Sequence, residues 1–433
     1  MQVLEIRDDA AYSDALAYAR GLTFAADEQA LVEVRESVRA VIEAVRRDGD
    51  AAIAEYTERF DRVALRPDHF EVTPAEIDAA IEAVDPGLFA VLERAHENIR
   101  RFHSKNLRES WEETQEDGSV LGQHITPIES AGVYVPGGKA FYPSSVLMNI
   151  APARVAGVKD IIMVSPPSYN GSIHPVVLAA ARIAGATRVF RVGGAQAVAA
   201  LAYGTRTIPA VMKITGPGNV YVTAAKALMR GQVETDSEAG PSEVVVIADE
   251  KADPAYVVAE LLAQAEHDEG ALAILITTSA ELVATVREAL AEETARAPRR
   301  DIITRSLEDR GRIILVRDMD EAVELTNLIA PEHLSIQVEF PRKLADRITN
   351  AGAIMLGGWT PVAVGDYYAG PNHILPTGRR ARRQSPLTAE DFRKVTNILY
   401  YTRERLRADA EDIIALARAE GLDAHARAVE VRL

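Results

Sequence analysis

The sequence predicts an α/β protein built on two parallel sheets, with a helical N-terminal region and an extended helical C-terminal tail. From Ile125 onward, short apolar runs alternate with alanine-rich helical stretches. Strands that are apolar on both faces are typical of parallel sheets covered by helices on each side. A chain of 433 residues also exceeds the usual size of one core, so we expect more than one domain.

The N-terminal region, up to about Asn106, is predicted to be helical because its apolar residues recur at helical spacing. The stretch "LVEVRESVRAVIEAVRRDGDAAIAEYTERFD" shows this spacing most clearly. Another helix is expected to begin in "TPAEIDAAI", where Thr73 suits an N-cap, Pro74 the first helical position and Glu76 a capping box. We interpret this region as scaffold.

The central region supplies enough strand–helix units for two sheets. The tail that follows, "TAEDFRKVTNILYYTRERLRADAEDIIALARAEGL", is expected to be helical. The expected strands lie in "AGVYVPGG", "DIIMVSPP", "TRVFRVGG", "AVMKITGPG", "SEVVVIAD", "ALAILITT", "RIILVRD" and "GAIMLGG".

The amino-acid composition excludes cysteine chemistry and argues against some classes of partner. The chain has no cysteine, so disulfides, thiolate catalysis and cysteine-bound zinc are excluded, and any metal must use His, Asp, Glu or Gln. A net charge of −16 argues against nucleic acid or an anionic membrane as the main partner. The N-terminus lacks a signal-peptide core and no apolar run is long enough to span a membrane, so we expect a cytoplasmic protein.

Glycine-rich segments follow several of the expected strands, at Gly137-Gly138, Gly193-Gly194, Gly216 to Asn219, and Gly357-Gly358. Ligands of open α/β sheets bind beyond the carboxyl ends of the strands, and glycine allows backbone to approach a phosphate-bearing ligand. Tight turns explain any single segment better, and only the several segments together make a nucleotide site plausible. The dinucleotide fingerprint and the Walker A pattern are both absent, so a nucleotide would have to bind by another route.

Polar residues interrupt apolar context in four further places. In "LLAQAEHDEG", Gln264 and His267 would share a helix face, which suits either a cation or a favourable helix end. In "VGDYYAGPNHILPTG", Asp366 and His373 are good ligand types for zinc or manganese, although a turn and a structural histidine are the alternative.

The other two places concern catalysis. In "LIAPEHLSIQV", Glu332 and His333 stand where a buried strand should begin, and either group is costly to bury unpaired. They form a candidate base and second proton acceptor, or else a capped helix end. Glu420 and His425 lie near the C-terminus in "AEGLDAHARAVEV", where chain ends are usually unimportant.

Together these segments resemble the histidinol dehydrogenase family over nearly the whole chain and in the family's order. The resemblance implies a zinc-dependent homodimer that oxidises L-histidinol to L-histidine through an aldehyde with two NAD⁺, the final step of histidine biosynthesis. The matching segments are "AGVYVPGGKAFYPSSVLMNIAPARVAGV", "RVGGAQAVAALAYGT", "ITGPGNVYVTAAK", "AGPSEVVVIAD", "AQAEHD", "IAPEHLSIQ", "GDYYAGPNHILPTG" and "EGLDAHARAVEVR".

The resemblance also implies roles for individual residues. His333 would accept the alcohol proton, and Glu332 would activate the water that hydrates the aldehyde. One zinc ion per subunit would be held by Gln264, His267, Asp366 and His425, the last of these from the partner subunit. The substrate site would comprise Ser242, Glu420, His333 and the zinc ligands, and the contacts to NAD would be Tyr134, Gln196 and Asn219.

The implied architecture has two Rossmann-like domains. Residues 26–133 and 241–385 would form the first, residues 134–240 the NAD-binding second, residues 1–25 an N-terminal segment, and residues 386–433 a tail that reaches the partner. Segments 234–238 and 379–384 depart from the family pattern. Two alternatives remain open at this point: a dehydrogenase of another small polar alcohol, and a zinc hydrolase in which Glu332 activates metal-bound water.

Overall fold

The computed structural model describes residues 1–22, 28–137, 141–237 and 240–433, with the backbone alone for residues 28–30. The predicted boundary between residues 25 and 26, Gly138 of the first glycine pair, and the end of segment 234–238 therefore lie outside the described residues. In chain order, the strands are Gln2–Glu5 (β1), Trp111–Thr114 (β2), Val120–Pro127 (β3), Ser130–Tyr134 (β4), Asp160–Val164 (β5), Arg188–Phe190 (β6), Lys213–Thr215 (β7), Glu234–Thr235 (β8), Glu243–Ala248 (β9), Leu272–Thr277 (β10), Arg312–Leu315 (β11), His333–Gln337 (β12), Ala353–Leu356 (β13) and Arg393–Tyr400 (β14).

Two parallel sheets carry the fold, as predicted, and each of the eight predicted runs contains a strand. One sheet has the order β1-β11-β10-β9-β12-β13 and the other the order β6-β5-β4-β7-β8, and all their pairings are parallel. Leaving out β1, both sheets follow the order 3-2-1-4-5, which is the Rossmann order 3-2-1-4-5-6 without its sixth strand. The predicted α/β class with two Rossmann-like sheets is confirmed.

Helices cover both sheets because their apolar residues face the strands. The helices are Asp9–Gly21 (α1), Glu28–Asp48 (α2), Asp50–Asp61 (α3), Pro74–Glu82 (α4), Pro86–Ser104 (α5), Pro143–Ala156 (α6), Pro175–Ala184 (α7), Gly194–Tyr203 (α8), Val220–Leu228 (α9), Pro254–Ala265 (α10), Ala280–Arg296 (α11), Arg300–Asp309 (α12), Met319–Ile329 (α13), Pro341–Ala345 (α14), Val362–Tyr367 (α15), Arg403–Ala419 (α16) and Asp423–Glu430 (α17). None of those described is long and apolar enough to cross a membrane.

The start of α4 follows the capping signal in the sequence. The Thr73 side chain accepts a hydrogen bond from the main-chain N–H of Glu76, and the Glu76 carboxylate accepts one from the main-chain N–H of Thr73. These two bonds satisfy donors that the first helical turn leaves unpaired.

The tail is not helical throughout, which corrects the prediction for its first part. Arg393–Tyr400 forms β14, which pairs antiparallel with β3, and β3 pairs with β2 in a separate three-stranded sheet. Valine, threonine, isoleucine and tyrosine in "RKVTNILY" favour a strand over a helix. The helices predicted after it are present as α16 and α17.

The predicted domain division stays a prediction, and the packing differs from it at three places. Helices α2 and α3 contribute Val38 and Ile53 to the same apolar core as Leu201 of α8, so they pack with the five-stranded sheet. Strand β4 is central in that sheet, whereas the prediction places most of it with the other domain. Strand β1 joins the edge of the six-stranded sheet beside β11.

Buried His103 supports a prediction about acid stability. Its side chain is fully buried near the end of α5, and neither ring nitrogen has a hydrogen-bond partner among the described residues. Burial lowers the pKa of His103 to about 4, although Asp391 opposes the shift. An unfolded histidine has a pKa of about 6.5, so the unfolded state binds the extra proton between pH 6.5 and 4.

Unfolding free energy should therefore fall by up to about 3 kcal/mol as the pH falls through that window, in addition to the effects of other groups. His103→Leu should remove this part of the slope in urea unfolding at pH 7, 5 and 4. His69→Leu, at an exposed histidine, is the matched control and should keep the slope. An unchanged slope in the His103 variant would contradict the prediction.

Candidate active site

A cavity of about 360 Å³ lies between the two parallel sheets. Segments that follow strands β4, β7 and β8 of the five-stranded sheet line one side of it. Segments that precede strands β9 and β12 of the six-stranded sheet line the other. Six of the predicted site residues line this cavity, namely Asn219, Ser242, His267, Glu332, His333 and Asp366.

The two sides of the cavity have opposite electrostatic character. Helices α6 and α9 begin at the five-stranded side, and helix N-termini carry partial positive charge that suits phosphates. Helices α10 and α13 end at the six-stranded side, and helix C-termini favour cations. The Gly357-Gly358 pair follows β13 and so lies at the opposite edge of its sheet from Glu332, which corrects its expected place beside a ligand.

Glu332 and His333 enter the cavity from the chain between α13 and β12. Ala330 ends α13 in the left-handed conformation with φ 51°, and Pro331 follows it, so the chain turns sharply before the strand. Glu332 is 6% and His333 4% exposed. The site of this pair is therefore a loop-to-strand junction, and both groups are held away from bulk water.

Hydrogen bonds orient both side chains. The His333 Nδ1 atom lies 3.2 Å from the main-chain oxygen of Glu243, and its Nε2 atom lies 3.3 Å from Asp366 Oδ1. A carbonyl oxygen only accepts hydrogen bonds, so Nδ1 carries a proton, and Nε2 points towards Asp366, which also lines the cavity. The Glu332 Oε2 atom accepts a 3.0 Å bond from the main-chain N–H of Glu243.

Burial and mutual charge shift the pKa values of this cluster. Burial by itself would lower the pKa of His333, but the carboxylates of Glu332 and Asp366 raise it to about 9. Burial raises the pKa of Glu332, which His333 partly opposes. The pKa of Asp366 is lowered because the attraction of His333 outweighs the effect of burial. Strongly perturbed groups that face one cavity are typical of catalytic sites.

Three of the predicted metal ligands lie on the six-stranded side. Gln264 is buried in the last turn of α10, and its amide nitrogen has no partner among the described residues. His267 lies on the turn beyond α10 rather than on the helix face that the sequence predicts. Asp366 lies on α15. Within the described part of one chain, no three His, Asp or Glu side chains are grouped as ligands.

The fourth predicted ligand lies elsewhere in the chain. His425 on α17 and Glu420 at the end of α16 are both exposed and line none of the cavity described above. Helix α16 packs on α17, and the two carry exposed apolar side chains, including Leu416 at 69% exposure. One chain by itself therefore does not bring Glu420 or His425 to Glu332 and His333.

The predicted NAD contacts lie at the carboxyl edge of the five-stranded sheet. Tyr134 ends β4 and its hydroxyl accepts a 3.1 Å bond from the main-chain N–H of Gly194, while burial raises the pKa of Tyr134 to about 12. Gln196 is fully buried in the first turn of α8, with both amide atoms unpaired among the described residues. Asn219 caps α9 by accepting from the N–H groups of Tyr221 and Val222.

Comparison with known proteins places the chain in a family. The profile of the histidinol dehydrogenase family matches residues 25–433. The chain belongs to the histidinol dehydrogenase family. Curated histidinol dehydrogenases from Heliobacterium mobile and Geobacter sulfurreducens are 52% and 49% identical to it, over 92% and 100% of this chain and 94% and 100% of theirs. The crystal structure of histidinol dehydrogenase from Elizabethkingia anophelis matches with a TM-score of 0.92 and 35% identity, over 100% of this chain and 98% of that one.

Family membership makes the chain an NAD-dependent oxidoreductase of histidine biosynthesis. It also argues against the zinc-hydrolase alternative, in which Glu332 would activate metal-bound water. The residues that sequence reasoning missed are then structural supports of a dehydrogenase site. They are the buried glutamates Glu243 and Glu260 and the buried pair Lys226 and Asp236.

Glu260 supports the segment that carries Asp366. Its carboxylate accepts the main-chain N–H of Val362, at 3.2 and 3.3 Å, where α15 begins, and burial raises the pKa of Glu260. Glu260 precedes Gln264 by one turn of α10, so one helix positions both Gln264 and Asp366. An acidic residue inside the apolar run "VVAELLAQA" is the signal that could have identified it.

Lys226 and Asp236 form a buried ion pair beneath the loop from Gly216 to Asn219. Their side chains are 3% and 4% exposed. The Lys226 ammonium also donates to the main-chain oxygen of Gly216 at 2.8 Å, and the Asp236 carboxylate accepts the Gly216 N–H at 2.7 Å. Gly216 has φ 113°, and a Cβ there would come within 2.0 Å of the main-chain oxygen of Tyr134. The pair thus holds a loop that has little freedom to move.

Breaking this pair should destabilise the protein strongly. Lys226→Met would leave the Asp236 carboxylate buried without its counter-charge, which costs about 3–5 kcal/mol in comparable cases. Urea unfolding measures the loss. Lys159→Met, at an exposed lysine, should change the unfolding free energy by less than about 0.5 kcal/mol. A Lys226→Met loss below about 1 kcal/mol would show that the pair is not holding the loop.

Proposed function

We propose that the protein oxidises L-histidinol to L-histidine through L-histidinaldehyde, with zinc and two NAD⁺, as the final step of histidine biosynthesis. One observation carries the proposal. The buried Glu332–His333 pair faces a cavity in which the phosphate-favouring side of one sheet meets the cation-favouring side of the other. A dinucleotide and a metal-held substrate can therefore approach the same two side chains.

His333 is proposed as the base for the alcohol proton. Its Nδ1–H is committed to the Glu243 carbonyl at 3.2 Å, so Nε2, which lies 3.3 Å from Asp366 Oδ1, is the nitrogen that would accept a proton from substrate once Asp366 is engaged by zinc. Each oxidation transfers one hydride to NAD⁺ and releases one proton, and Nε2 faces the cavity where that proton leaves. Ser242, which precedes β9 at the same edge, is a proposed substrate contact.

Glu332 is proposed to activate the water that adds to the aldehyde. Its carboxyl group is buried beside His333, at 3.6 Å between Oε2 and Nδ1, and burial raises its pKa. A carboxylate with a raised pKa is a stronger base than one in water. Adding water to the aldehyde creates the hydrate from which the second hydride leaves, so the acid retains an oxygen from water.

The five-stranded side is proposed to bind NAD through Tyr134, Gln196 and Asn219, which puts the cofactor in the predicted domain of residues 134–240. The local structure fits such a ligand. Gln196 has two buried amide atoms with no partner among the described residues, which a polar ligand could satisfy. Glycine at positions 137 and 193 is required by the close packing of Pro166, since a Cβ there would come within 2.7 Å of its ring.

The six-stranded side is proposed to hold one zinc ion per subunit, through Gln264, His267, Asp366 and the partner's His425. The nitrogen and oxygen donors suit zinc, and Gln264, whose amide nitrogen has no partner in the described part of the chain, lies in the last turn of α10, where a cation is favoured. Its positive charge would orient the amine and imidazole of the substrate and, beside Asp366, favour neutral His333.

The proposed assembly is a homodimer with shared active sites, which we expect to act in the cytoplasm. Glu420 and His425 are exposed and lie outside the cavity of their own chain. Strand β14 and helices α16 and α17 also expose large apolar side chains, including Leu399 at 70% and Val431 at 58%. A second copy that covers this tail, residues 386–433, would bury those side chains and deliver both residues to its own cavity.

The test is an end-point count of NADH. Purified protein, zinc, excess NAD⁺ and limiting L-histidinol should yield two NADH per substrate, with L-histidine as the product. One NADH per substrate would show that the aldehyde escapes. No NADH from zinc-loaded, folded protein would refute the proposed substrate, and other small polar alcohols would then be assayed.

A further inference from the structure

Glu243 raises a question that the proposed reaction does not answer. It opens the otherwise apolar strand "EVVVIA" and is fully buried, and it does not line the cavity. Burying a carboxyl group in a sheet costs several kcal/mol unless its hydrogen bonds are restored. A valine would suit the strand better, so the glutamate needs a reason specific to its place.

Glu243 begins β9, which pairs with β12, and it therefore lies beside Glu332 and His333 at the start of β12. The main-chain N–H of Glu243 donates to Glu332 Oε2 at 3.0 Å, and the main-chain N–H of Glu332 donates to Glu243 Oε2 at 3.2 Å. The two glutamates therefore hold each other by reciprocal side-chain-to-main-chain bonds. Neither bond can lengthen without loosening the other, because both join the same two residues.

The second carboxyl oxygen of Glu243 reaches a separate loop, which contains Thr377 and Gly378. Glu243 Oε1 accepts the main-chain N–H of Gly378 at 2.5 Å. Nearby, the main-chain N–H of Gly240 donates to the Thr377 hydroxyl at 2.7 Å, and Thr377 lines the cavity. The Glu243 carboxyl group thus joins the entry to β12 with the loop at Thr377 and Gly378.

We propose that Glu243 is a positioning residue for Glu332 and His333. Its carboxyl group fixes the main chain that carries the catalytic carboxylate. Its own main-chain oxygen fixes the histidine tautomer through Nδ1, as described above. The inference rests on the proposed function, since it assumes that Glu332 and His333 carry out the two oxidations.

The main test variant is Glu243→Gln. Glutamine has one acceptor oxygen, so it can satisfy the N–H of Glu332 or of Gly378, and its NH₂ group then meets the other donor. We expect kcat to fall about 10- to 100-fold from the displaced catalytic groups, with KM changed by less than about 3-fold. Displacing Glu332 should harm aldehyde hydration most, so NADH per histidinol should fall from two towards one.

The matched control is Glu321→Gln. Glu321 is also a buried glutamate, and it accepts the main-chain N–H of Arg317 at 2.9 Å, far from the cavity. The control should keep wild-type kcat and product ratio even if its stability falls. Glu243→Asp is the second variant: it keeps the charge but is too short to reach both loops, and it serves if the glutamine variant does not fold.

A spectroscopic readout separates positioning from simple stability. Nitrogen-15 NMR of the ring nitrogens of His333 in the zinc-loaded protein, recorded at a pH where the imidazole is neutral and assigned with His333→Asn, should show a protonated Nδ1 in the wild type and a mixture of tautomers in the Glu243 variants. Wild-type kcat with an unchanged His333 signal in a folded variant would overturn the inference. So would lost activity with an unchanged signal and product ratio. If wild-type protein does not oxidise histidinol, the proposed function fails, and the NMR comparison still tests Glu243.

Discussion

Replacing His333 by asparagine is expected to lower kcat for L-histidinol about 10²- to 10⁴-fold, the usual contribution of a general base. Asparagine can still donate from its amide to the Glu243 carbonyl, so the local main chain should keep its conformation. It has no group that accepts a proton near neutral pH. Steady-state kinetics with histidinol and with the aldehyde should both show the loss, because each oxidation releases a proton.

Glu332→Gln is the companion variant and should separate the two oxidations. The glutamine oxygen can still accept the 3.0 Å bond from the main-chain N–H of Glu243, so the site should keep its shape. A single-turnover experiment should then give the first NADH at near the wild-type rate and little of the second. Equal loss of both steps would contradict separate roles for the two residues. A melting temperature close to that of the wild type is the check that each variant is folded.

The parallel sheets could be predicted from the sequence because burial on both faces leaves a local trace. The runs "VVVIA" and "ALAILI" are apolar at every position, which a strand or helix with one face exposed to solvent does not need. Strand β14 left no such trace. Most of its side chains are exposed in one chain, and its partner β3 lies more than 260 residues away in sequence, so the helical pattern that follows it, now α16, biased the prediction.

Individual site residues could also be identified from the sequence immediately around them, whereas their arrangement in space could not be predicted from the sequence. Glu332 was identified because it interrupts apolar context before a strand, and Glu243 carries the same signal in "GPSEVVVIA". The carboxyl-edge rule agrees with the position of Gly216, which lines the cavity, but it failed for Gly357. The six-stranded sheet presents its amino edge to the cavity, and only the packing of one sheet against the other determines which edge is used.

The role of His425 in the C-terminal tail cannot be inferred from the structure of one chain, because the residue contacts no part of the cavity in that chain. The histidine is exposed on α17 and remote from Glu332, so a single copy would predict that His425→Ala is harmless. The resemblance implies instead that the variant is folded but inactive because a neighbouring copy lacks a zinc ligand. Zinc content measured after gel filtration should fall in parallel with activity.

Mixed dimers give the sharpest test of a shared site. His333→Asn and His425→Ala homodimers should each be nearly inactive. A heterodimer of the two, purified through different affinity tags, should recover about half the wild-type activity, because two-fold symmetry gives it one cavity with both histidines intact. If each site is built within one chain, both cavities of this heterodimer are defective and no activity returns.

The reverse combination should give the opposite result and so guards against subunit exchange as an explanation. A chain carrying both substitutions is paired with a wild-type chain. In a shared arrangement, the wild-type cavity receives the altered tail and the altered cavity lacks His333, so the heterodimer should be inactive. With self-contained sites, the wild-type chain would retain half the activity. A heterodimer of His333→Asn with the exposed-site variant His69→Ala should be half-active in either case, which shows that mixed dimers are competent.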